Sequence, residues 1–129
     1  MPGDGDLTFC VKECFKQLNE YFKGERKEFF LNLQPKGTDF QKSVWRQLEK
    51  LPYGETTSYG KIADALGKPS ASRAVGSANG KNPIAIIIPC HRVIGSDGSL
   101  TGYGGGLWRK EWLIGFEKGV PQPPGDIIA

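Results

Sequence analysis

Cys90 stands in the most informative setting in the chain. It follows the apolar run Ile84–Ile88 and a proline, and its neighbour His91 is the only histidine. A free thiol titrates near 8.5, so only a few per cent of it is thiolate at neutral pH. Burial behind an isoleucine run lowers that fraction further. A nucleophilic Cys90 therefore needs a base. Side chains of adjacent residues on an extended chain point apart, so His91 reaches Cys90 only through a water or a bend. A carboxylate would then have to orient the imidazole. On these residues alone, an activated nucleophile and a satisfied buried cysteine both remain open.

The elements around this pair can be read from periodicity. Ala85–Ile88 is short, β-branched and apolar, which predicts a buried strand delivering the chain to Pro89-Cys-His-Arg-Val93. Upstream, Ser58 can cap a helix over Tyr59–Leu66 that Gly67 stops, and Ser70 can cap a second over Ala71–Asn79 that Gly80 ends. Two such helices joined by three or four residues have the dimensions of a helix-turn-helix. The second is almost wholly Ala, Ser and Gly, so it can lie very close to another surface. Thr38-Asp-Phe-Gln41 has capping-box spacing, and Phe40, Val44, Trp45 and Leu48 follow as an apolar face ending at Pro52-Tyr-Gly54. Leu107–Glu117 reads as a closing helix, after a turn at Gly95–Gly98 and a glycine-rich loop at Gly102–Gly106. Near the start, Val11, Cys14, Phe15, Leu18, Tyr21 and Phe22 predict an amphipathic helix over 7–23, and Phe29, Leu31 and Leu33 alternate as in a half-buried strand over 28–33. The texture changes near Gly37. The expected layout is a reduced N-terminal appendage over 1–37, a core over 38–119 and a flexible tail over 120–129. The expected fold class is mixed α/β (α+β), mainly helical in the core.

Composition narrows the function. With 129 residues the chain can bury roughly 65–70% of its unfolded surface without staples. Its longest apolar run is far short of the roughly 20 residues of a membrane span. The first residues have neither the basic start nor the apolar run of a signal peptide. Three cysteines cannot all pair, which fits an intracellular, reducing compartment, and with one histidine they make a poor zinc site. Neither a metal nor any other cofactor is expected. The net charge of +3 is unevenly placed. Residues 61–110 hold Lys61, Lys68, Arg73, Lys81, Arg92, Arg109 and Lys110 against Asp64 and Asp97. A solvated face and an anionic partner, with nucleic acid foremost, both account for that half.

Ile88-Pro-Cys-His-Arg-Val-Ile94 resembles the active-site signature of the O6-alkylguanine-DNA alkyltransferases (methylated-DNA–protein-cysteine methyltransferases). So do, in order, Pro52–Tyr59, Ser72–Gly76, Asn82-Pro83 and Gly98–Leu107, and the resemblance covers residues 37–117. It implies that Cys90 takes the alkyl group from guanine O6 and keeps it as a thioether, once per molecule. His91 resembles the histidine that removes the thiol proton through a bridging water, and Glu117 the glutamate that orients that histidine. Asn82 resembles the hinge asparagine between recognition helix and active-site turn. Tyr59 resembles the tyrosine that assists base extrusion. Arg73 resembles the arginine finger that replaces the flipped base, which must leave the stack for in-line attack. Ala71, Ser72 and Gly76 belong to the small-residue surface that the family lays in the minor groove. Val93, Tyr103 and Gly104 resemble the pocket around the extruded guanine.

The implied partner is double-stranded DNA, met through the minor groove by a protein that is monomeric in solution, with cooperative binding along DNA left open. The compartment would be the bacterial cytoplasm or the nucleus. Cys10 and Cys14 have no partner histidines and do not reproduce the zinc sites of some members. A binding-only relative would lack the cysteine, a Cys-His hydrolase would leave the Arg73 helix unexplained, and a plain helix-turn-helix regulator would have no use for Pro-Cys-His-Arg.

Overall fold

A computed structural model describes residues 4–31, 34–95, 97–98 and 106–120, with 4–10 as backbone only. The chain divides into two compact units, Met1–Gln34 and Pro35–Ala129.

The first unit is built on α1, Asp4–Phe22. Its apolar stripe is only partly covered: Tyr21 is fully buried, with its ring against Phe22 and Phe29, whereas Val11 and Phe15 are exposed. The strand expected over 28–33 does not form at 28–31, and Asn32 and Leu33 lie outside the described residues. The reason lies in one side chain. Gln17, buried on α1, accepts from the Phe30 N–H at 2.9 Å and donates to the Phe30 carbonyl at 3.2 Å. An amide side chain takes the two backbone groups that a strand would offer to a neighbour.

The second unit begins with α2, Asp39–Glu49. The capping box expected from the sequence is present: Thr38 Oγ1 accepts from the Gln41 N–H, and Gln41 Oε1 accepts from the Thr38 N–H. Val44, Trp45 and Leu48 are its buried face. The turn after it, Pro52–Glu55, places Gly54 at φ +81°, a conformation glycine adopts without strain.

The short strand β1, Thr57–Ser58, then runs directly into α3, Tyr59–Ala65, where Ser58 Oγ caps the helix by accepting from the Lys61 N–H at 3.2 Å. After a turn comes α4, Ser72–Gly80, packed on both α2 and α3. This is the helix-turn-helix the sequence predicts, with two differences. Six residues, 66–71, join the helices, and Ser70 does not cap the second: Ala71 occupies the N-cap position and makes no side-chain bond. Trp45 Nε1 donates to the Ala78 carbonyl at 2.9 Å and ties α2 to α4.

The buried strand expected at Ala85–Ile88 is instead a tight turn. Ile86 has φ +73°, and the Ile87 N–H bonds back to the Ala85 carbonyl at 2.8 Å, closing a γ-turn of the strained hand. A β-branched residue at positive φ persists only where its surroundings over-determine it. Here Asn82 brackets the segment, accepting from the Ile84 N–H at 3.0 Å and donating to the Ile88 carbonyl at 2.7 Å. A second γ-turn at Pro89, with φ −79° and ψ 66°, leads into a single 3-10 turn over Cys90–Arg92. The chain continues as β2, Val93–Ile94, parallel to β1 with Thr57 opposite Val93. Helix α5, Leu107–Glu117, closes the unit as expected. Among the described residues the fold is thus mostly helical with one two-stranded sheet. Among the described residues no helix is long and apolar enough to cross a membrane.

Candidate active site

Helix α5 buries Lys110, Leu113 and Glu117, which recur at i, i+3 and i+7 on one face. Two charged side chains therefore enter the interior from one helix, and both point to the segment around Cys90. The Glu117 carboxylate is the hub. Oε2 lies 2.6 Å from His91 Nε2 and accepts from Arg92 Nη2 at 2.9 Å. Oε1 accepts from Arg92 Nε at 2.7 Å and from the Gly54 N–H at 3.2 Å. Arg92 Nη1 donates to the Leu51 carbonyl at 2.7 Å. A carboxylate with these other donors upon it is an acceptor, so the His91 Nε2 carries the hydrogen, and in the neutral imidazole Nδ1 then carries the lone pair. That Nδ1 is buried and has no hydrogen-bond partner among the described residues.

Three titratable groups here are displaced, each for a nameable cause. Burial pushes the Cys90 thiol up, while the Asn82 amide and the Lys110 charge pull it back. Burial pushes the His91 imidazole down. The hydrogen bond and charge of Glu117 oppose this, and the charges of Arg92 and Lys110 add to it. Burial brings Lys110 to about 8, with Cys90 pulling the other way. Lys110 Nζ donates to the Tyr59 hydroxyl at 3.3 Å and stands 5.7 Å from that ring's centroid. Asn79, buried on α4, donates to the Cys90 carbonyl at 3.3 Å.

The residues expected from the sequence fall into three groups. Cys90, His91 and Glu117 are gathered in one buried cluster, with Asn82 bracketing the turn before them and Tyr59 joined to it through Lys110. Val93 is fully buried in β2 just beyond. Arg73 is exposed on α4, away from that interior, with Ala71 and Ser72 half-buried at the start of the same helix. Gly76 faces Tyr59, whose ring would lie 3.8 Å from a Cβ placed there. Tyr103 and Gly104 lie outside the described residues, as do most of the glycine-rich loop and the tail beyond Val120. Among the described residues no three His, Cys, Asp or Glu side chains converge as metal ligands.

Sequence reasoning missed Arg92, Lys110 and Asn79. Arg92 and Lys110 enter a charge count as surface cations, yet both are buried. Lys110 shares its helical face with Leu113 and Glu117, and Asn79 lies at i+4 from Val75, the register signals that bear on the two.

A buried thiol beside an imidazole held by a carboxylate, on a unit that also contains a helix-turn-helix, sets the class of protein within which comparison is made. Comparison with known proteins narrows the class. Residues 39–119 match the family described as 6-O-methylguanine DNA methyltransferase, DNA binding domain. The methylated-DNA–protein-cysteine methyltransferase of Mycobacterium bovis is 60% identical over 111 residues, 86% of this chain and 66% of that protein. The protein of that name from Methanosarcina acetivorans is 59% identical over 106 residues, 82% of this chain and 68% of its own length. A crystal structure described as Mycobacterium tuberculosis OGT in complex with DNA superposes with a TM-score of 0.82 at 59% identity, covering 85% of this chain and 69% of that one. The chain belongs to the O6-methylguanine-DNA methyltransferase family. It spans just under two thirds of the length of the mycobacterial relatives it matches, 66% for the Mycobacterium bovis protein.

Proposed function

We propose that this protein repairs O6-alkylguanine in double-stranded DNA by moving the alkyl group to its own Cys90, and that residues 38–119 carry both DNA binding and chemistry. The observation that carries the reading is the imidazole adjoining Cys90. Its Nε2–H is committed to Glu117 at 2.6 Å and its bare Nδ1 is left over as a base. A thiol raised by burial needs such a base. The thiol proton passes through a bridging water to Nδ1, leaving an imidazolium that Glu117 stabilises. The sulfur attacks the alkyl carbon in line, the S–C bond forms as the bond to O6 breaks, and the electron pair leaves on the guanine. A thioether has no route back, so each molecule acts once.

In-line access to O6 requires the base to leave the stack. Helix α4, short of bulky side chains and bearing exposed Arg73, is suited to the narrow minor groove, with the guanidinium filling the gap left by the flipped base. Tyr59 and Val93, with Tyr103 and Gly104, form the pocket for the extruded guanine, and Asn82 holds the turn that presents the sulfur. The protein acts inside the cell, as a monomer and without a cofactor.

The test is the intact mass of the protein after incubation with a duplex carrying one O6-methylguanine. The native chain gains one methyl and no more, and Cys90→Ala gains none. Tight binding without a mass change overturns the reading and leaves a damage sensor in its place.

A further inference from the structure

Glu117 is not the private partner of His91. Arg92 makes two hydrogen bonds to that carboxylate and anchors itself on the Leu51 carbonyl, so a full positive charge is bonded to the same group that orients the imidazole. The side chains involved are almost wholly shielded from solvent: His91 is fully buried, and those of Arg92 and Glu117 are 6% and 2% exposed. In so dry a setting a lone carboxylate 2.6 Å from an imidazole would draw a proton onto the pair and hold it there. An imidazolium cannot accept the thiol proton.

We propose that Arg92 is a positioning residue for the reaction. By sharing Glu117 with His91 it cancels the carboxylate's charge, and so keeps the imidazole neutral with Nδ1 free to act as a base. The proposal rests on the alkyl-transfer reading above. The charged and titratable groups facing His91 agree with it. From its own turn these are Cys90 and Arg92, and from α5 they are Lys110 and Glu117. The turn after α2 brings Tyr53, whose ring lies 5.7 Å from the Arg92 guanidinium and whose hydroxyl is held protonated by burial and by Glu117. Helix α4 contributes the uncharged Asn79, and Arg46, Glu49 and Lys50 of the α2 end are exposed. Apart from Glu117, no group in this set favours the imidazolium in the resting state, and Arg92 is a cation bonded directly to Glu117.

His91 is the only histidine, so a carbon-13 histidine label on the full chain reports its protonation and tautomer without assignment. Two substitutions separate charge from shape. Arg92→Gln keeps N–H donors and removes the charge, whereas Arg92→Lys keeps the charge and removes the fork. In the native chain the imidazole is neutral at pH 7 with the hydrogen on Nε2. In Arg92→Gln the His91–Glu117 pair takes up its proton at least about one pH unit higher, as expected when a cation within bonding distance is removed. Its alkyl-transfer rate at pH 7 drops about tenfold and recovers as the pH is raised. In Arg92→Lys proton uptake stays near the native pH.

An imidazolium in the native chain at pH 7 overturns the proposal. So do two variants that titrate alike, or an Arg92→Gln loss that is the same at every pH. If only one variant folds it still decides, since an upward move in Gln supports the proposal and one of equal size in Lys overturns it. If neither folds, the native tautomer decides. A native chain that titrates as expected yet leaves the methyl on DNA defeats the alkyl-transfer reading and not the account of the imidazole.

Discussion

Lys110 is the residue at which stability and chemistry pull apart. Its ammonium is fully buried, its proton is held at about 8 against an ordinary 10.5, and desolvation is the leading cause. The unfolded chain therefore binds that proton more tightly than the folded one. Folding carries the penalty in full below about pH 8 and sheds it as the pH climbs toward 10.5. Replacing a buried charge by an apolar side chain of similar length is often stabilising. Lys110→Met should accordingly melt higher than the native chain at pH 7, with the gap shrinking by pH 10. The same change removes the charge that lowers the Cys90 thiol and the donor to Tyr59, so alkyl transfer at pH 7 should slow by roughly tenfold. A melting gap independent of pH, or an unchanged transfer rate, sinks the argument. The sequence hid this residue because a charge count treats every lysine as solvated. Cys90 and His91 were legible because a buried thiol beside the chain's one imidazole needs a base, whereas Glu117 was reached only through the family resemblance. Arg92 and Lys110 were not legible, because neither is demanded until the interior is known to be dry.

At the scale of elements, local rules held at the caps of α2 and α3, though not at the start of α4, where Ser70 makes no cap. They failed at the two apolar segments whose backbone is bonded by a side chain from outside the segment. The caps at Thr38 and Ser58 and the span of α5 follow from spacing alone. The Phe30 backbone is taken by Gln17 from thirteen residues away, and the isoleucine run is bent by Asn82, so two apolar segments with strand-like composition are not strands. The two kinds of contact predict different mutants. Thr38→Ala loses a capping bond and should destabilise by about 1 kcal/mol. It lies the length of α2 from Leu51, roughly 16 Å, so the transfer rate should not change. Gly54→Ala places a side chain at φ +81° with its Cβ 3.2 Å from the Glu117 carbonyl oxygen, in the turn whose N–H bonds that residue's carboxylate. It should cost about 1–2 kcal/mol in stability and slow transfer as well. Chemical denaturation read beside single-turnover rates distinguishes them, and equal effects on both quantities in both variants would contradict the assignment.

Over the whole molecule the burial of Arg92 and Lys110 changes where the positive surface lies. The exposed cations of the helix-turn-helix are Lys61 on α3, Lys68 in the turn, Arg73 on α4 and Lys81 at its C-cap, against exposed Asp64 on α3. That is four minus one, or +3 on the helix-turn-helix, equal to the net charge of the entire chain. The rest of the protein sums to zero, so a polyanion meets a field concentrated on one motif. For a duplex, each phosphate neutralised releases counterions and adds about 0.9 to the slope of log affinity against log salt. Removing any one of Lys61, Lys68 or Lys81 that contacts phosphate should lower that slope by about that amount. Arg92→Gln and Lys110→Met should leave it unaltered, since their charges never meet solvent. Arg73→Ala should lower the slope and, beyond that, slow methyl transfer from duplex more than from a single strand, where no gap needs filling. Anisotropy titrations of a labelled duplex at four or five salt concentrations resolve these slopes. If the buried cations moved the slope as much as the exposed ones, the helix-turn-helix would not be the face that meets DNA.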